Sequence, residues 1–128
     1  MKIKVDIAPA ELLDKITILE IKKEKITDSA KLKNIQTELN IIIETKKKYI
    51  PESNELSIIY EDLKCINRLL WDIEDNIRDC EREKNFGEKF ISLARSVYIT
   101  NDKRAEIKRK INNLLGSEII EEKAYSDY

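Results

Sequence analysis

Three groups of polar side chains in this sequence have the spacing needed to act together. Asn67, Trp71, Glu74, Arg78 and Glu81 recur at intervals of four, three, four and three, which sets them in a row on one helix face. An indole beside a Glu74–Arg78 fork suits a sugar, a nucleotide or an anionic group. The same row also describes an interface in which Trp71 packs and the ions bridge to a neighbouring helix, the commoner use of such stripes. Arg95, Tyr98, Asn101, Arg104 and Lys108 form the second group, where an otherwise apolar stripe fails. Polar groups inside a core stripe must find partners. They read either as a phosphate or carboxylate grip, with Arg95 and Arg104 donating paired bonds, or as a buried ionic contact with the acidic third helix.

The third group is acidic. Asp72, Asp75 and Asp79, with Glu20 and Glu24 as a second pair, would suit Mg²⁺ if they faced one another as in all-α pyrophosphohydrolases. Arg78 and Arg82 interleave with the aspartates, and the acidic pattern of those enzymes is missing, so a solvated face is expected, with no metal and no cofactor. The chain has no histidine, which removes the commonest general base, the usual nucleophilic triads and His-dependent metal sites. Cys80 falls at a seam position and reads as buried and inert, while Cys65 lies off it; neither has a histidine to activate it. Fifteen residues of helix would hold the two about 22 Å apart, too far for a disulfide. No catalytic residue is assigned, and the balance is against an enzyme.

These side chains need elements to carry them. The chain has 128 residues, 41% hydrophobic and 38% charged, with two glycines and two prolines. That composition points to long helices in one domain spanning residues 1–128, its core built mainly from aliphatic side chains. Residues 2–7 alternate, with Ile3, Val5 and Ile7 against Lys2, Lys4 and Asp6, and predict a short half-buried strand. Pro9 opens a helix to about Thr27. It is apolar on more than one side, which suits a central helix or one shared with a partner subunit. Asp28 and Ser29 start a second helix, about 29–50, which Pro51 stops.

The third helix, about 54–84, gives the clearest pattern. Leu56, Ile59, Leu63, Ile66, Leu70, Ile73, Ile77 and Cys80 alternate at three and four residues, a sustained heptad seam. A fourth helix covers about 88–115, with a kink or fresh cap expected near Asn101, and Gly116 ends it. The tail, 117–128, carries Ile119 and Ile120 among acids and is a candidate partner strand for residues 2–7, within one chain or across a dimer. The fold class is thus mainly all-α, an antiparallel helical bundle with a long third helix and short terminal β-strands.

Charge completes the outline. The net formal charge is −1, which gives no global attraction to nucleic acid or anionic membrane. Residues 1–50 carry 11 lysines against 8 acids, whereas residues 51–90 carry 6 basic and 11 acidic residues. Such opposed segments pair within a subunit or between subunits. The runs Lys46–Lys48 and Lys108–Lys110 lack interleaved aromatics and read as solvated helix ends. Neither a signal peptide nor a long apolar run is evident, so a cytoplasmic protein without a membrane span is expected.

The strings ELLDKITILEIK (residues 11–22), LWDIEDNIRDCE (70–81), FISLARSVYITNDKR (90–104) and GSEIIEEKAY (116–125) resemble a family of short bacterial proteins of unknown function. The resemblance implies a cytoplasmic setting and an association with lipopolysaccharide or other surface-polysaccharide biosynthesis; it carries no established catalytic residues. A looser likeness of the opening helix to all-helical chorismate mutases lacks the arginine those enzymes use there, since the first arginine of this chain is Arg68. Two functions remain in view. The leading one is an assembly protein that self-associates through the third-helix seam or the first helix, with a partner in polysaccharide assembly. The alternative is a binding protein or enzyme for a phosphorylated or sugar-nucleotide ligand, held by Trp71, Arg95, Tyr98 and Arg104.

Overall fold

The computed structural model describes all 128 residues as four helices: α1 (Pro9–Lys25), α2 (Ser29–Tyr49), α3 (Asn54–Glu83) and α4 (Glu88–Leu114). Local chemistry sets most of the ends. Pro9 occupies the first turn of α1, where its missing N–H costs no bond. Asp28 caps α2 by accepting from the Lys31 N–H at 2.9 Å, and Ser53 caps α3 by accepting from the Leu56 N–H at 3.1 Å. Lys84 closes α3 in the left-handed region at φ 55°, so that the Asn85 N–H reaches back to the Cys80 carbonyl at 2.9 Å. Gly116, at φ 65°, takes the same conformation after α4, where a Cβ would be strained. The fresh cap considered near Asn101 does not occur. Helix α4 runs unbroken through Thr100, Asn101 and Asp102, and of the polar side chains that interrupt its stripe Arg104 and Lys108 find partners on α1 and Asp102 on the tail.

Helix α1 is the hub. It packs against each of the other three helices, whereas α2 packs on α1 alone and α3 pairs most extensively with α4. The mixed apolar faces of α1 are the cause. Ala10, Leu13, Ile16 and Ile21 are 0–1% exposed, and Leu12 and Leu19 are also buried. Ile35, Leu39 and Ile42 of α2 close one side of this core; Leu56 and Leu63 of α3 and Ile111 of α4 close the other. A Leu63→Ala substitution would cost about 2–5 kcal/mol, since nothing can collapse into the space it leaves.

The α3 seam is covered by α1 and α4 together. Leu56, Leu63, Ile73 and Cys80 are buried, and none of the eight seam residues is exposed. At 30 residues α3 spans about 45 Å, against about 26 Å for the 17 of α1. The surplus emerges as a two-helix arm. The Lys25–Asp72 pair, 3.9 Å apart, is the last ionic link from α1 toward the arm's tip. There Phe86 and Phe90 meet edge to face with ring centres 5.4 Å apart.

The terminal strands expected from alternation are not present. Residues 1–7 are exposed and form no regular element, and none makes a backbone–backbone hydrogen bond. Residues 117–128 follow α4 through side-chain bonds instead of a ladder. Alternation sets up a strand face, but a strand needs a neighbour, and the tail is engaged elsewhere. No helix is long and apolar enough to cross a membrane.

Candidate functional site

The interior between α1, α3 and α4 is polar at its centre. Asp14 is 2% exposed, Thr17 0% and Asn67 6%. Asp14 sits on the buried face because Ala10, Asp14, Thr17 and Ile21 recur at four, three and four residues along α1. Arg104 Nε donates to Asp14 Oδ1 at 3.0 Å and its Nη2 donates to Oδ2, a two-pronged grip. Asn67 Nδ2 donates to Asp14 Oδ1 and to Thr17 Oγ1, both at 2.8 Å, and the Thr17 hydroxyl donates to the Asp14 carbonyl at 2.7 Å.

Helix periodicity carries the network along α4. One turn beyond Arg104, Lys108 Nζ bonds Glu11 at 2.8 Å and lies 3.2 Å from Glu121 of the tail. One turn further, Asn112 Oδ1 accepts from the Ala10 N–H at 2.9 Å. The order of these contacts makes α1 and α4 antiparallel. No buried side-chain nitrogen or oxygen is left without a partner. Desolvation pulls the Arg104 and Lys108 pKa values down, but bonds to Asp14 and Glu11 and the surrounding acids outweigh it and raise both.

A second polar row joins α1 to α3. Glu20 accepts from the Tyr60 hydroxyl and from Lys64 Nζ, and Glu24 accepts from Arg68 Nη2 at 2.9 Å. Burial first, then the Glu20 bond, pushes the Tyr60 phenol well above its usual range. The acidic pair considered for Mg²⁺ is therefore committed to cations and a phenol on α3, and no group of three or more carboxylates or thiols gathers as a metal cage.

The residues proposed from sequence do not converge. Asn67 and Arg104 meet on Asp14, and Lys108 joins the same wall. Arg104 turns to α1, not to the acidic third helix. Trp71 is half-buried, Glu74 and Arg78 pair with each other at the surface, and Glu81 is exposed. Arg95 is exposed with no ion pair. Tyr98 stacks edge to face on Tyr128 with centres 5.1 Å apart, and Asn101 is half-buried. Sequence reading missed Glu11, Asp14, Thr17, Tyr60 and Lys64. A signal existed: Tyr60, Lys64, Asn67 and Trp71 continue the polar row of α3 toward its N-terminus at four, three and four residues.

Two shallow grooves border the network. One, of about 500 Å³, runs between α4 and the tail beside Asp102, Arg109, Asn112 and Lys123. The other, of about 230 Å³, lies beside Glu11, Asp14, Lys22 and Arg104. Arg104, Arg109 and Lys123 in these grooves already face carboxylates of the chain, so the arrangement clamps the helices and the tail together, while Lys22 stands without an ion pair.

A search of curated proteins and one of solved structures each found no match. A family model does match, over residues 3–128. The chain accordingly belongs to the family of unknown function DUF6165.

Proposed function

We propose that this chain is an interaction protein that associates with a second copy of itself and serves as an accessory to bacterial surface-polysaccharide assembly in the cytoplasm. The observation that carries self-association is the N-terminal segment, where Ile3, Val5 and Ile7, alternating in sequence with polar residues, stand 79%, 71% and 43% exposed on a backbone that pairs with nothing in the subunit. Such an edge is a template for pairing with another chain. The third-helix seam and the first helix, the surfaces expected from sequence to mediate assembly, are largely covered within the subunit, which favours the chain end as the contact. The polysaccharide setting comes from the family resemblance. Sedimentation equilibrium across the micromolar range tests self-association, with a dimer expected; a monomer throughout sinks it. Loss of surface polysaccharide on deletion of the gene, restored by the intact chain, tests the setting.

A second reading, binding of a phosphorylated or sugar-nucleotide ligand, draws support from the tail. Glu121 and Glu122 lie on Lys108 and Arg109, so anionic groups of the chain cover cations on α4 that a ligand's phosphates would suit, with Arg95 and Tyr98 exposed further along. Nucleotides and sugar nucleotides should then raise the melting temperature, with and without Mg²⁺. No shift across the set removes this reading.

A further inference from the structure

We infer that residues 2–7 of two copies pair as an antiparallel ribbon centred on Val5, and that this ribbon is the contact through which the chain self-associates; the inference rests on the self-association proposed above. The register follows from the residues. With Val5 opposite Val5, Ile3 meets Ile7 on one face, and on the other Lys4 meets Asp6 twice, once on each side of the two-fold axis. Sliding to centre the ribbon on Lys4 exchanges the two Lys4–Asp6 pairs for two Lys2–Asp6 pairs but sets two lysines directly against each other, which disfavours that register. Charge complementarity therefore selects a second copy as the occupant, and one register.

A two-stranded ribbon is marginal in water unless its apolar face is covered. The bundle supplies a cover at the right end. Asn112 accepts the Ala10 N–H through its side chain at 2.9 Å and the Ser117 N–H through its carbonyl at 2.9 Å. The N-terminal segment and the tail thus leave the bundle from one point, and Ile119 and Ile120, 43% and 67% exposed, stand just beyond it. Six isoleucine and valine side chains of the ribbon and two isoleucines from each tail make a small apolar layer, closed by the symmetry axis.

Cysteine cross-linking in the full-length Cys65→Ser chain reads the register. Val5→Cys should form a covalent dimer on mild oxidation, because the residue faces its own copy. Lys4→Cys and Asp6→Cys should not, because each faces a different residue. In sedimentation, Lys4→Asp and Asp6→Lys should each weaken the dimer about tenfold, and the double exchange should restore it. If the native chain is a monomer, the self-association reading and this interface both fall. If it is a dimer but Val5→Cys stays uncoupled, or Lys4→Cys couples as readily, the ribbon alone is overturned. Preferential coupling of Val5→Cys to Ile119→Cys would make the tail the occupant and overturn it too.

Discussion

Arg104 on α4 grips the Asp14 carboxylate on α1 across ninety residues of sequence, with Nε 3.0 Å from Oδ1 and Nη2 on Oδ2. Asp14 is nearly sealed from water, while Arg104 keeps about a quarter of its side chain exposed. The pair binds the central helix to the α3–α4 hairpin and fixes their register, since only one turn of α4 offers this fork. A cluster that could have been a ligand grip is closed on the protein itself.

Breaking that pair from one side should be costly. Arg104→Ala leaves a buried carboxylate with only Asn67 and is expected to lower unfolding free energy by about 3 kcal/mol, as is Asp14→Ala, which strands the Arg104 guanidinium and leaves Asn67 bonded to Thr17 alone. Replacing both ions with apolar residues, Asp14→Leu with Arg104→Met, should recover most of the loss. Urea unfolding of the four proteins forms the cycle; equal, additive losses in the double variant would show that the two do not interact.

Stability should hold from neutral pH to about 10 and fall beyond it. Burial, and then the bond to Glu20, raises the Tyr60 pKa above its ordinary 10.0. Lys64 and Lys108 are raised above 10.5, because their carboxylate partners outweigh desolvation. A raised folded-state pKa gives stability that is complete below the unfolded value and is lost as pH climbs through the folded one. Tyr60→Phe should cost about 1–3 kcal/mol at pH 7 through the lost bond to a charged acceptor. That gap should narrow above pH 10 by less than about 1 kcal/mol per unit, because the ring is only half-buried. Denaturant midpoints at pH 7 and 11 decide it, and a constant gap would contradict the assignment.

What was legible in the sequence was the apolar part. The heptad from Leu56 to Cys80 specified a long helix buried along one flank, and the two-sided pattern of α1 pointed to a central element. Polar positions were harder. Asp14 and Thr17 look like surface residues until Ala10 and Ile21 are seen to share their face, and only tertiary packing shows that Arg104 lies opposite. The expected strands failed for a related reason. Alternation in residues 2–7 specifies which side is apolar but not whether a neighbouring strand exists. The gap in the α4 stripe suggested a kink or a new cap because the sequence does not show which helix will satisfy Arg104 and Lys108.

The two thiols should differ sharply. Cys65 is exposed, and Cys80 is buried in the seam of the arm. Under native conditions a thiol reagent such as DTNB should titrate Cys65 promptly, while Cys80 reacts only at the rate at which α3 and α4 separate. The arm consists of two helices beyond the reach of α1, so its opening should be easier than global unfolding. Hydrogen exchange should therefore be faster at Ile77 and Leu93 than at Leu13 and Ile16. Prompt reaction of both thiols, or uniform protection along α3, would rule out a separately opening arm.

The tail is held mainly through one carboxylate. Asp102 accepts from Lys123 Nζ at 2.5 Å and from the Tyr128 hydroxyl at 2.6 Å, and Tyr128 packs on Tyr98. These two bonds, Lys123 first, hold the Asp102 pKa below its usual 3.8. A lowered carboxylate pKa means the clasp is intact above the ordinary value and is lost as pH falls through the lowered one. Because the pairs are exposed, salt should weaken them also. Asp102→Asn is expected to raise the rate of tryptic cleavage after Lys123 several-fold while leaving helical content unchanged, and high salt should speed cleavage of the native chain toward the same rate. Tyr128→Phe removes one of the two bonds and should fall between. If Asp102→Asn is cut no faster than the native chain, the tail is anchored by Glu121 on Lys108 instead, and Glu121→Gln becomes the variant that frees it.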